Sequence, residues 1–377
     1  MKVGGWYTPP LSSTSMFSAA DHGFMAQALR LAEHGLNTTS PNPRVGCVIV
    51  REGRVVGQGW HLRAGEPHAE IHALAEAGEQ AGGATAYVTL EPCCHTGRTP
   101  PCTDALIRAG VVRVVAAMVD PNPKVAGNGL EQLRQAGITV ESGLMQPQAQ
   151  ELNIGFISRM QRGRPWVRLK AASSLDGGTA LSNGLSQWIT GEAARADGQH
   201  WRARVCAVLT GVGTVLHDNP RLNVRLSDAT RQPLRVVVDS HLRTPPEAEI
   251  LKGGALLVCA DDATRHVYPK TTEILKLDNG QGQVNLAALL AELARRGINE
   301  LHVEAGATLN GALLAQGLVD ELLLYVAPKL LGGTARGLFD IPALTLMEQA
   351  ITLDIKDVAH LGQDLCIRAR ILTAHAG

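Results

Sequence analysis

Apolar residues recur along this chain in two rhythms. From Phe17 to Gly35 they fall at helical spacing, with Met25, Ala28, Leu29 and Ala32 on one stripe and Gly35 placed to end it. From Cys47 to Val50 the rhythm becomes a short apolar run, and after a turn at Glu52-Gly53 the segment Val55 to Gly59 completes a hairpin. Good helix formers fill Ala69 to Ala77, Ala84 to Leu90 reads as a buried strand, Thr103 to Ala109 as a short helix stopped at Gly110, and Val111 to Met118 as a further strand. Pro147 to Met160 reads as one helix, and Gln161-Arg162-Gly163-Arg164-Pro165 breaks the pattern. Beyond it, strands at Trp166 to Ala172, Val205 to Thr210, Leu234 to Asp239 and Leu301 to Glu304 alternate with helices from Glu192 to Ala203 and from the Ala305–Leu309 turn to Gln316. Alternating strands and helices predict α/β architecture in two domains, residues 17–163 and 164–377, with no internal repeat.

Length and charge narrow the function. A chain of 377 residues can bury two full cores. Formal net charge is zero, with no basic run, which argues against general affinity for a polynucleotide backbone. Aromatic residues make up only 3% of the chain, too few for single-strand stacking platforms, so a small-molecule substrate fits better. Seven cysteines follow no disulfide spacing, and Cys47, Cys206, Cys259 and Cys366 sit in apolar surroundings, a reduced and cytoplasmic pattern. No apolar run reaches membrane-spanning length, and the first fifteen residues, without an apolar core, read as a disordered extension and not a signal peptide.

The chemistry concentrates between His68 and Cys102. His-Ala-Glu at 68–70, Pro-Cys at 92–93 and a further cysteine at 102 supply three zinc-type ligands, which leaves a fourth position on Zn²⁺ for water. Water on zinc is acidified toward about pKa 7, and Glu70 is available to shuttle protons. Residues i and i+2 diverge by about 200° inside a helix, so His68 and Glu70 converge only where a helix begins; Gly65-Glu66-Pro67 supplies that start. Cys102, preceded by Pro100-Pro101, opens the next helix, a place that favours the thiolate. A closed structural site using Cys94 or His95 as fourth ligand is the rival, but it has no use for Glu70. His72 lies four residues past His68, yet the order H-A-E-I-H is not the metalloprotease H-E-x-x-H.

These residues resemble the zinc-dependent cytidine deaminase superfamily. The longer form T-L-E-P-C-C-H-T-G-R-T-P-P-C resembles one branch of it, the bifunctional riboflavin-pathway deaminase/reductases, where serine usually stands at the position of Cys94. In the second half, K-A-A-S-S-L-D-G, S-Q-W-I-T, G-V-G-T-V-L-H-D-N-P and V-E-A-G resemble the reductase half of the same family, so the likeness spans about residues 20–370 in order. It implies a cytidine-deaminase-like three-layer sandwich followed by a dihydrofolate-reductase-like domain, with Zn²⁺ and NADPH as cofactors. The implied reactions are deamination of a diaminopyrimidinone ribosyl phosphate and reduction of its ribosyl group to ribityl. In the deaminase, Asn42, His61, Arg98 and Asp120 would line the pyrimidine nucleotide pocket; Arg98, between the zinc cysteines, suits a phosphate. In the reductase, Ala172, Trp188, Thr214, Asp218, Ser240, Gly306, Ala307, Thr308, Leu309, Asn310, Gly311 and Ala312 would contact the cofactor. Ser186, Arg202, Leu222, Arg225 and Glu304 would contact substrate, with Arg202 and Arg225 suited to clamp its phosphate and Lys170 as the candidate acid. A homo-oligomer is the expected assembly.

Overall fold

The structure, a computed structural model, describes residues 17–95, 100–123, 125–227, 229–262 and 266–372. The N-terminal extension read from the sequence and the candidate Arg98 lie outside the described residues. The chain divides into two compact units, one of residues 1–34, 44–120 and 124–152, the other of residues 35–43, 121–123 and 153–377.

The first unit runs α1 (Ala19–Glu33), β1 (Gly46–Arg51), β2 (Arg54–Trp60), α2 (Ala69–Ala77), β3 (Thr85–Val88), α3 (Cys102–Arg108), β4 (Arg113–Ala116), α4 (Asn128–Gln135), β5 (Thr139–Ser142) and α5 (Gln146–Leu152). Ser18 caps α1 in a reciprocal box with Asp21, and the predicted stripe Met25, Ala28, Leu29 and Ala32 is buried. The sheet has the order β2-β1-β3-β4-β5, antiparallel through the β1–β2 hairpin and β3, then parallel. Alternating strand residues face opposite sides: Cys47, Ile49, Ala86, Val88, Val114 and Ala116 join Ala69, Ala73, Leu106, Leu130 and Leu133 from α2, α3 and α4 in one core. The α2 helix seats closely because β2 offers glycines beneath it. A Cβ on Gly57 would lie 2.2 Å from the Ala73 carbonyl oxygen, and one on Gly59 would lie 2.5 Å from the His72 Cβ.

The single helix expected over Pro147 to Met160 is two. α5 ends at Leu152, and α6 (Ile154–Arg162) begins after Asn153, which leaves helical geometry at φ −108° and ψ 20° while fully buried. α6 lies in the second unit, where Gly155 brings its backbone against Asn299 and Glu300.

The second unit continues with β6 (Trp166–Ser174), α7 (Glu192–Arg204), β7 (Ala207–Gly211), α8 (Val212–Asp218), β8 (Leu234–Val238), β9 (Ala255–Cys259), β10 (Thr272–Lys276), α9 (Leu286–Arg295), β11 (Glu300–Val303), α10 (Ala307–Ala315), β12 (Glu321–Ala327), β13 (Leu353–Leu361) and β14 (Asp364–Ile371). Its sheet order is β10-β9-β8-β7-β11-β6-β12-β14-β13, parallel as far as β12 and antiparallel beyond. Leucines of α9 and α10 cover one face with Val167, Leu169, Leu209, Val236 and Val303. On the other face, Ala194 of α7 packs with Leu323 and Tyr325, and Trp201 lies against them. Gly211-Val212-Gly213 carries the chain from β7 into α8, with Gly211 as the N-cap.

Candidate functional site: a three-ligand cluster and a buried carboxylate fork

Each zinc-type ligand stands where an element begins or ends. His68 is the N-cap of α2, in extended geometry, so its ring and the Glu70 carboxyl converge over the first turn as the helix-start argument required. Cys102 is the first residue of α3, and Cys93 follows β3. The amide and the hydroxyl of Thr103 both donate to the Cys93 carbonyl, at 3.2 and 3.3 Å, locking the two cysteine segments together. His68 Nδ1 lies 3.5 Å from Cys93 Sγ and 3.3 Å from Cys102 Sγ. All three ligand atoms lie within 4.8 Å of one another, and among the described residues this is the one such cluster of three or more; Cys94 stands outside it.

The donor set fits Zn²⁺. One imidazole and two sulfurs converge on a single point, and three protein ligands are the catalytic rather than the closed structural number. The thiols already divide their charge: a hydrogen bond from Cys102 pulls the Cys93 thiol down to about 4, while the same bond and burial push Cys102 up. Burial raises the Glu70 carboxyl to about 7, against the pull of His68, and Glu70 shares a hydrogen bond with the Cys102 thiol. His61 stands edge-on to His68, ring centroids 5.3 Å apart, with its Nδ1 3.1 Å from the Pro67 carbonyl; burial lowers its pKa. Asp120 is buried at the end of the segment after β4. Asn42 belongs to the 35–43 segment grouped with the second unit, where its amide donates to Thr39.

In the second unit the strand order sets β11 between β7 and β6, and Glu304 follows β11 directly. Its amide donates to the Leu209 carbonyl at 2.9 Å, and Thr210 donates to its carbonyl at 2.7 Å. The Arg202 guanidinium forks onto the carboxylate, through Nε to Oε1 and through Nη2 to Oε2 at 2.8 Å, and Lys170 Nζ lies 3.9 Å from Oε2. Burial by itself would raise the Glu304 carboxyl, but Arg202 and Lys170 hold it well below the usual range. Burial lowers the Lys170 ammonium. The Lys170 Nζ also sits 5.6 Å from the ring centre of Tyr325, whose hydroxyl donates to Asp197 at 2.6 Å. The sequence assigned Arg202 to phosphate; here its fork is spent on Glu304, and it also reaches the Asn223 carbonyl at 3.5 Å, in the same loop as buried Leu222 and exposed Arg225.

Thr214 in α8 and Gly306, the N-cap of α10, adjoin: a Cβ at Gly306 would lie 4.0 Å from Thr214 Oγ1, and one at Gly211 would lie 3.3 Å from Leu309. Ala307, Thr308 and Ala312 are in α10 behind that cap, and Ala172 is on β6. Asn310 turns back to donate to the Ala305 carbonyl at 3.1 Å, and Gly311 packs on the backbone of Asp340. Asp218 is exposed at the end of α8, paired with His217 at 2.8 Å. Trp188 is 64% exposed with Arg195 over its ring at 4.7 Å, in the loop that also holds Ser186. Ser240 opens a rigid turn. The Asp239 carboxylate accepts the amide and hydroxyl of Thr244, each at 2.7 Å, Tyr268 donates to the Leu242 and Thr244 carbonyls, and His241 and Arg243 stay exposed.

Residues 18–118 match the cytidine and deoxycytidylate deaminase zinc-binding region, and residues 165–367, more than half the chain, match the RibD C-terminal domain. Over 361 residues the chain is 51% identical to the riboflavin biosynthesis protein RibD of Escherichia coli (strain K12), covering 92% of this chain and 98% of that protein. This chain belongs to the RibD family. The RibD of Haemophilus influenzae is 48% identical over 365 residues, 93% of this chain and 97% of that protein. Among solved structures, RibD of Acinetobacter baumannii superposes with a TM-score of 0.87 at 45% identity, covering 94% of this chain and 99% of that one. A diaminohydroxyphosphoribosylaminopyrimidine deaminase/5-amino-6-(5-phosphoribosylamino)uracil reductase of Thermotoga maritima superposes at 0.86 with 32% identity, over the same shares. The RibD fold is the expected one, cytidine-deaminase-like then dihydrofolate-reductase-like, and the chain is a riboflavin-biosynthesis deaminase and reductase with Zn²⁺ and NADPH as cofactors.

Three groups escaped sequence reasoning: Glu91, whose carboxylate accepts four backbone amides; the Tyr325–Asp197 pair; and His302, buried beside Glu304. A signal existed for two of them. Glu91 is an acid ending an apolar strand, and Leu-His-Val-Glu places His302 and Glu304 on one face of a strand.

Proposed function

We propose that the His68–Cys93–Cys102 cluster is the site where 2,5-diamino-6-(5-phosphoribosylamino)pyrimidin-4-one is deaminated, and that the Lys170–Glu304 cluster is where the ribosyl side chain of the product becomes ribityl. Deamination is assigned to residues 17–163 and reduction to residues 164–377, spans that contain the two family matches. The observation that carries the reading is the convergence of three metal-type ligand atoms within 4.8 Å beside a buried carboxyl raised to about 7.

Zinc held by His68, Cys93 and Cys102 would supply Lewis-acid activation of the hydrolytic water. Glu70, poised near neutrality, takes a proton from that water and delivers it to the departing nitrogen, so the ring gains a carbonyl oxygen and loses ammonia. Asn42, His61, Arg98 and Asp120 are assigned to the pyrimidine and its ribosyl phosphate. In the second reaction bound NADPH would supply the hydride that reduces the sugar carbon. Lys170, eased toward deprotonation by burial, gives the balancing proton to the sugar oxygen; Glu304 holds Lys170 and substrate in register, and Arg202 fixes Glu304. Arg202 and Arg225, the latter exposed on its loop, are assigned to the substrate phosphate. Ser186 and Leu222 complete the substrate contacts. Ala172, Trp188, Thr214, Asp218, Ser240 and Gly306 to Ala312 are assigned to NADPH, Asn310 and Gly311 through the backbone alone.

The substrate is a small molecule, with neither nucleic acid nor membrane as partner; no described helix is long and apolar enough to cross a membrane. A cytoplasmic location and a homo-oligomer complete the reading. The edge strand β13, with Ile355 61% and Val358 53% exposed, is the surface that a second copy would cover. One coupled assay decides the main claim: on the pathway pyrimidine, ammonia release should precede NADPH oxidation. A zinc-organised scaffold would release no ammonia, and a lone deaminase would oxidise no NADPH.

A further inference from the structure

Glu91 is 3% exposed, and both of its carboxylate oxygens are fully engaged by backbone. Oε2 accepts the Asp120 amide at 3.0 Å and the Gly127 amide at 2.9 Å; Oε1 accepts the Gly129 amide at 2.8 Å and the Leu130 amide at 3.3 Å. The same side chain therefore holds the Asp120 and Gly127 amides together and caps α4, whose own N-cap, Gly127, offers no side chain to do so. Gly129 permits the approach: a Cβ there would lie 2.1 Å from the Pro92 carbonyl oxygen. Glu91 is two residues before Cys93, yet it has no place in the ligand cluster. Its four acceptor contacts are all to backbone.

We infer that Glu91 is a positioning residue for deamination, which fixes Asp120 relative to the Cys93 segment so that the substrate meets a preformed wall beside the metal ligands. The inference rests on the assignment of Asp120 to substrate. The need is for two acceptor oxygens on one side chain, because four amide donors converge on it in two pairs. Glutamine would turn its NH₂ toward two of those donors and release either the Asp120 and Gly127 amides together or the two α4 amides together. A loose loop must be ordered by the substrate, so the cost falls on KM and leaves the chemical step nearly intact.

The test compares Glu91→Gln with Asp120→Asn in the full-length, zinc-loaded protein, reading deaminase KM and kcat, zinc per chain, and reduction of supplied deaminated intermediate as a check of folding. For Glu91→Gln, KM should rise about tenfold or more while kcat stays within about threefold, with zinc near one per chain and reduction unchanged. Asp120→Asn should raise KM as well. Normal KM in Glu91→Gln beside an impaired Asp120→Asn overturns the inference alone. Normal KM in Asp120→Asn overturns the Asp120 assignment and the inference with it. Loss of zinc, or a fall in kcat with KM unchanged, overturns it in favour of a role in building the metal site. Should the amide variant fail to fold, Glu91→Asp keeps an acceptor-only carboxylate one methylene short and must show the same split, with a smaller rise in KM.

Discussion

His302 offers a quantitative test of the reductase half. Its ring is buried on β11, and neither nitrogen has a hydrogen-bond partner. The nearest charge is Glu304, with Oε1 3.7 Å from Nε2, and Arg168, Arg202 and Lys170 oppose a further positive charge. Burial, the largest cause, pushes the imidazole down from 6.5 to about 3. The folded protein therefore binds this proton only near pH 3, whereas the unfolded chain binds it below pH 6.5. The group costs nothing above about pH 7, and stability is lost progressively as pH falls from 6.5 toward 3. Between pH 7.5 and 5.0 the loss is 1.5 pH units' worth, about 2 kcal/mol, or roughly 4–8 °C in Tm for a unit of this size. His302→Phe keeps the ring and removes both unpartnered nitrogens, a change expected to be neutral or stabilising at pH 7.5. Thermal unfolding of both proteins, followed by the fluorescence of Trp166, Trp188 and Trp201, should show a gap in favour of the variant that widens by about 2 kcal/mol at pH 5.0. Other titrating groups are common to both chains and cancel in the difference. Parallel pH profiles would mean that His302 is protonated in the fold, or reaches water, and would refute the reasoning.

Three further outcomes are expected. Cys94→Ser should keep zinc near one per chain by elemental analysis and Cys93→Ser should lose it; the reverse pattern would reject the ligand set. Glu70→Gln keeps the side-chain shape without the titrating group, so ammonia release should fall at least about a hundredfold with zinc retained, while reduction of supplied intermediate persists; near-normal ammonia release would make Glu70 a bystander. Arg243→Ala, on the exposed turn after β8, should weaken NADPH by about 1.5–3 kcal/mol and NADH far less if its guanidinium receives the 2′-phosphate; equal losses measured by titration would reject that role.

Much of this protein is written in short-range pattern. The stripe of α1, the β1–β2 hairpin and the start of α2 at His68 follow from spacing and turn residues, because each depends on neighbours within a few positions. The clustering of His68, Cys93 and Cys102 was legible for the same reason, since His68 and Cys102 each stand at the start of a helix. The break at Asn153 was missed although Asn153 and Gly155 are both weak helix formers. The commitment of Arg202 to Glu304, a bond spanning 102 positions, was not readable. It exists because the sheet sets β11 between β7 and β6, which brings the residue after one strand under the helix that follows another. Glu91 meets its four amides 29 to 39 positions away. Sequence spacing determines which side chains share an element, whereas strand order and backbone packing decide which distant donors a carboxylate such as Glu91 or Glu304 meets.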